Sequence, residues 1–185
     1  MTLAAHYLEE IRRQMHGYKR LADGALTQIS EEEFFREVDP ESNSIAIVMK
    51  HMSGSMRSRF TDFLTTDGEK PDRNRDQEFE VGTADRTAFL KSWEQGWKAV
   101  FDSLDGLKPE DVERTVMIRS EPHTVLQALN RALAHLAYHV GQIVYLAKYF
   151  RSERWTTLSV PRGKTDEFNA KMREKHEAKT HEAKT

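Results

Sequence analysis

The sequence predicts an all-α protein, a four-helix bundle with long inter-helix loops and a polar C-terminal tail. Three observations carry that expectation. Four long segments repeat apolar residues at steps of three and four, the period of one helix face. Strand-like alternation is confined to one short stretch, RTVMIRS at residues 114–120. The 185 residues are 38% hydrophobic, enough for a core, yet no apolar run approaches the roughly 20 residues that span a bilayer.

The first segment runs from about Leu3 to Leu26, with Leu3, Tyr7, Leu8, Ile11, Met15 and Tyr18 on one face. Gly17 and Gly24 weaken it by about 1 kcal/mol each. In Ser30-Glu31-Glu32-Glu33 the serine caps and Glu33 reaches back, opening a short helix anchored by Phe34 and Phe35. A turn-rich stretch at residues 39–43 supplies capping side chains for the second long segment. That segment passes through Ile45, Val48, Met52, Met56, Phe60 and Phe63 and is expected to end near Thr66, before Asp67-Gly68. Residues 67–82 read as a polar loop.

The third segment, residues 85–104, presents Phe89, Trp93, Trp97, Val100 and Leu104, and Asp105-Gly106 stops it. Residues 114–120 read as extended. Thr124 and Gln127 form a capping box ahead of the fourth and strongest helix, which runs through Leu129, Leu136, Val140 and Ile143 to about Phe150. Residues 159–163 read as irregular and 166–175 as a polar helix. The domain expectation is a bundle over residues 1–163 and a tail over 164–185. That tail ends in HEAKT repeated directly. Five-residue spacing does not stack its two histidines on a helix, so it reads as a solvated, frayed end before it reads as a chelator.

Charge and composition exclude several classes. Lys+Arg 28 against Asp+Glu 30 leaves a net charge of −2, without the basic excess of a nucleic-acid binder. The N-terminal MTLAAHYLEEIRR carries charges where a signal peptide needs an apolar centre. A cytoplasmic protein with neither a membrane nor a nucleic-acid partner is expected. Cysteine is absent from the chain, which removes disulfides, thiolate metal ligands and a cysteine nucleophile together.

The chemistry concentrates in three of the eight histidines. His135 and His139 are four residues apart, the spacing by which one helix offers two imidazoles to one ion. At about 100° per residue from His135, His139 falls near 40° and Gln142 near −20°, in or beside the arc that faces the core. On the second long helix His51 is also core-directed, with Ser44, Ser55 and Ser58 within about 40° of it. Serines there leave room for water or a ligand. A lone buried histidine is ordinarily a hydrogen-bonded core residue, and an i, i+4 pair also arises by chance. Three core imidazoles are harder to satisfy, because each unmet polar group costs about 1–3 kcal/mol. A divalent metal takes one lone pair from each ring, and three histidines plus water is the ligand set of an open zinc site; nickel also accepts imidazole. No carboxylate is level with the histidines on these faces, since Asp62 lies about 16 Å along the axis from His51. A mononuclear site is therefore expected.

The string HLAYHVGQI, His135 to Ile143, resembles the last-helix motif of the DinB-like, or YfiT-like, superfamily of metal-dependent enzymes. NSIAIVMKH, Asn43 to His51, resembles the second-helix segment that brings their remaining histidine. The blocks RSRFTDFLTTDGEKPDRNRDQEF and TTLSVPRGK resemble one uncharacterised branch, a domain of unknown function. The resemblance covers about residues 3–163. It implies a homodimeric four-helix bundle holding zinc or nickel through His51, His135 and His139 plus water. It also implies transfer chemistry on a small-molecule substrate with a low-molecular-weight thiol of the bacillithiol or mycothiol type. Val140 departs from the commonest pattern, standing where many relatives have arginine.

Gln142, Tyr138, Arg59 and Ser55 are the candidates to orient a substrate or the imidazoles. Each has an ordinary alternative: a helix contact for Gln142, core filling for Tyr138, a pair with Asp62 or Glu69 for Arg59, close packing for Ser55. Three functional expectations follow. The first is a metal-dependent thiol transferase or hydrolase-like enzyme. The second is a non-catalytic stress-response bundle whose metal or histidine network is structural. The third is an interaction scaffold acting through its charged loops.

Overall fold

The computed structural model describes residues 1–83 and 85–182. It is mainly α-helical, with one two-stranded sheet among the described residues. Residues 1–153 and 154–185 form two compact units. The second contains α6, Thr165–Glu182, with a Lys164–Glu167 ion pair at its start. That helix carries the backbone through the first HEAKT copy and into the second, whose residues 183–185 lie outside the described residues.

The first unit is built on four long helices. α1 spans Leu3–Leu26, and Thr2 caps it by accepting from the Ala5 amide. Its buried face is Leu8, Ile11, Met15, Ala22, Ala25 and Leu26; of the predicted stripe Leu8, Ile11 and Met15 are buried, Tyr7 and Tyr18 partly so, and Leu3, at the first turn, is exposed. The five-residue α2, Glu31–Phe35, carries the capping box expected of Ser30 and Glu33. α3, Ile45–Phe60, is capped by Ser44 and buried on almost every side: Ile45, Met49, Met52, Met56 and Phe60 are joined by buried Ser53, Ser55 and Ser58. α4, Arg86–Gly106, is capped by Asp85 and buries Phe89, Trp93, Trp97, Val100 and Leu104. α5, Val125–Arg151, opens with the Thr124–Gln127 capping box. α3 packs on α4 and α5, and α1 packs on α5 and α4.

α3 stops six residues earlier than its apolar pattern suggests. Thr61 turns extended and Asp62 takes φ 50°, a left-handed conformation that aspartate tolerates better than most residues. The Asp62 carbonyl then accepts from the amides of Thr65 and Thr66, closing a separate turn. Phe63 continues the pattern in sequence but sits on that turn.

α3 and α4 meet at Gly96. A Cβ there would lie 2.9 Å from Met56 Cε and 3.2 Å from the Ser53 backbone. The glycine therefore buys close helix contact at the expense of about 1 kcal/mol of helix propensity. Gly96→Ala is expected to destabilise by about 1–3 kcal/mol despite the better propensity, read as a lower urea midpoint with an unchanged slope.

The extended stretch is real and has a partner not anticipated from sequence. β1, Thr115–Ile118, pairs antiparallel with β2, Glu121–Thr124. The two-residue connection has φ 55° at Arg119 and φ 61° at Ser120, the primed turn that matches strand twist but usually recruits Asn or Gly. Asp67 supports it from the preceding loop, its carboxylate accepting from the amides of Arg119 at 2.8 Å and Ser120 at 2.7 Å. The bond from the Glu69 amide, with those from Ser120 and Arg119, holds the Asp67 carboxyl below the ordinary range.

Candidate metal centre

α3 brings His51, and α5 brings His135 and His139 one turn apart. The Nε2 atoms of His51 and His135 are 3.2 Å apart, and those of His139 and His135 are 3.1 Å apart. One nitrogen from each ring lies within 4.8 Å of the others. Ligands at 2.0–2.1 Å around a tetrahedral ion stand about 3.3 Å from one another, so the spacing is that of a shared first shell. The rings meet at 67–86°, with centroids 4.5–5.3 Å apart, so their nitrogen tips converge while their faces do not stack.

The groups behind the rings fix which nitrogen carries the proton. Glu78 Oε2 is 2.9 Å from His51 Nδ1, and the same carboxylate is held by Arg73 through two 2.8 Å contacts. An ionised carboxylate only accepts, so His51 donates from Nδ1 and turns a lone pair at Nε2 inward. His139 Nδ1 likewise donates to Gln142 Oε1 at 2.7 Å. Two inward lone pairs then face His135 Nε2, which can supply at most one proton. At least one close nitrogen pair stays unsatisfied unless a cation fills the centre. Partners of this kind behind a ligating imidazole set its tautomer and raise its basicity.

Burial pushes His135 down from 6.5 to about 4, reinforced by His139, His51, Arg59 and Arg73. Burial also lowers His139, with the Gln142 bond opposing it and His51 adding to it. Both rings are thus neutral near pH 7, the form that binds metal. In the metal-free protein the unfolded chain takes up the His135 proton before the folded one. Its contribution to stability is complete above about pH 6.5 and is lost progressively as pH falls toward 4. Urea unfolding in chelator across this window is expected to show a declining midpoint, with a shallower decline in His135→Gln.

Glu78, Arg73 and Phe79 were not visible as site residues in the sequence. They arrive on the 3₁₀ turn Asp76–Phe79 and the loop before it. Phe79 stacks on His51 with centroids 4.9 Å apart. Burial raises the Glu78 carboxyl, but the bonds from His51 and Arg73 outweigh it and leave the group below its usual range. The expectation that no carboxylate stands level with the histidines concerned the helix faces alone, and the acid that reaches His51 comes instead from a loop. The signal that could have found it is Gly54, one turn beyond His51: a Cβ there would lie 2.7 Å from Glu78 Cδ.

The four orienting candidates occupy different places. Gln142 holds His139, as above. Ser55 is buried and Arg59 pairs with Glu69 at 3.3 Å; both line a cavity of about 340 Å³ that also reaches His51 and His135. Tyr138 is 64% exposed, with its ring against His139 at 4.9 Å. Of the serines flanking His51, Ser44 caps α3, while Ser58 donates to the Gly68 carbonyl and accepts from the Lys70 amide. Only Ser55 among these three faces the cavity.

A mainly-α chain with three imidazoles close enough to share one ion, beside an open cavity, defines the class. The chain belongs to the family described as "Protein of unknown function (DUF1572)", whose family model matches residues 2–164. No curated protein matches it. No helix among the described residues is long and apolar enough to cross a membrane.

Proposed function

We propose that this protein is a DinB-like four-helix bundle that holds one zinc or nickel ion through His51, His135 and His139. The carrying observation is the inward convergence of three Nε2 atoms, with the outer nitrogens of His51 and His139 committed to Glu78 and Gln142. The 340 Å³ cavity on one side supports an open coordination position and so an enzyme rather than a structural centre. A bound divalent ion supplies a Lewis acid that makes a coordinated thiol or water nucleophilic near neutral pH. The chain has no cysteine, so the thiol of a transferase must be a separate small molecule. The reading has the protein act in the cytoplasm, where such thiols stay reduced. Its own residues then bind and orient: Ser55 and Arg59 in the cavity wall, Gln142 behind His139.

The exposed tyrosines Tyr138, Tyr145 and Tyr149 lie at steps of seven and four on α5 and favour a homodimer through that face. Metal titration followed by thiol-transfer assays on small electrophiles tests the reading. One tightly bound ion per chain and metal-dependent thiol consumption are the expected results. An ion bound without any such turnover would favour the structural alternative, and no bound ion would end both metal readings, leaving only a structural histidine network.

A further inference from the structure

The cavity walls carry far more positive charge than the metal reading requires. Arg59, Arg73, Arg75, Arg119 and Arg131 line it, and among the described residues no carboxylate does. Nearby acids neutralise only part of this. Glu69 alone serves Arg59, Arg73 and Arg119, at 3.3, 3.3 and 3.1 Å. Glu78 is spent on Arg73 and His51. Arg131 Nη1 stands 3.3 Å from His123 Nε2, and the nearest acid to it, Glu121, is 3.8 Å away and largely exposed. Arg59 Nη1 is buried and has no hydrogen-bond partner among the described residues. A buried guanidinium donor without an acceptor is costly, and such a fork is built to meet carboxylate or phosphate oxygens.

The positions of these arginines relative to the histidines give the site a direction. On α3, His51, Ser55 and Arg59 follow at steps of four; on α5, Arg131 stands four residues before His135. The two helices therefore present a histidine and, one to two turns away, an arginine, a separation of roughly 6–12 Å along the axes. The cavity wall also carries apolar side chains: Met56, Phe60, Ile118 and Leu136.

We propose that the cavity binds a small molecule with an oxyanion, carboxylate or phosphate, held by Arg59 and Arg131, and a short apolar body that carries its reactive end to the three histidines. The role of the histidine end rests on the metal reading above; the anion site does not. The test uses calorimetry with inorganic phosphate, butyrate and a series of straight-chain dicarboxylates of increasing length. Each is titrated into zinc-loaded and chelator-treated full-length protein. Metal-free protein is expected to bind phosphate and the carboxylates. In Arg131→Gln, where the replaced side chain is half-exposed and outside the core, affinity should fall roughly tenfold or more, as in Arg59→Gln. Loading with zinc should select an intermediate dicarboxylate length, because one end then meets the ion.

Anion binding that is absent, or equal in wild type and Arg131→Gln, overturns the proposal while leaving metal binding standing. Arginine-dependent anion binding in a protein that takes up no zinc upholds the anion site and defeats the metal reading. Zinc-loaded protein that shows no length preference overturns the assigned direction from arginine to histidine.

Discussion

His139→Ala is expected to abolish stoichiometric zinc or nickel binding. Removing a ligand should cost more than the 10–100-fold in affinity that loss of an outer partner does. The effect also appears in stability. An ion present at 100 times its dissociation constant adds about 2.7 kcal/mol to a protein that binds it only when folded. Elemental analysis after desalting and a thermal melt with and without zinc read both consequences. Wild type should carry one ion per chain and melt higher with zinc; the variant should do neither. His51→Ala should behave alike, because the centre needs nitrogens from both helices. Retention of a full complement of metal by either variant would move the site elsewhere.

Glu78→Ala carries the second large effect. Glu78 and Arg73 are both nearly buried, and truncating the acid leaves Arg73 with Glu69 alone and His51 without an acceptor. Breaking a buried pair from one side costs about 3–5 kcal/mol, and the remaining Glu69 contact argues for the lower figure. Metal affinity should fall a further 10–100-fold, since nothing then fixes the His51 tautomer. Glu78→Gln keeps an acceptor for His51 and should recover part of the affinity. Gly54→Ala tests the same contact without touching a polar group. Its methyl would displace Glu78, so affinity should drop although alanine is the better helix former. Chemical unfolding with zinc titration separates the stability loss from the affinity loss.

The helices and the histidine triad were legible because their signals are local. α1 shows its stripe at steps of three and four, and Ser30 and Thr124 announce helix starts through side chains three residues away. His135 and His139 share a face by spacing alone. What escaped depends on contacts that no local pattern encodes. The end of α3 is set by Asp62 entering the left-handed region, although Phe63 prolongs the apolar rhythm. β2, with Pro122 and His123, has no strand character of its own and forms because β1 lies beside it, on a turn that Asp67 holds. Glu78 looks like one acid among many in a charged loop until the fold sets it against His51. Burial was also finer than the angles suggested: His51 is buried, whereas His135 and His139 are only partly so, which leaves the centre reachable from the cavity.

The histidine contact between α3 and α5 joins residues 84 positions apart, and the Glu78 contact joins residues 27 apart. A nascent chain lacks the three-histidine arrangement until its fifth helix has docked. On the proposed metal reading, an unfinished polypeptide lacks the shared nitrogens, and occupancy would certify that assembly is complete.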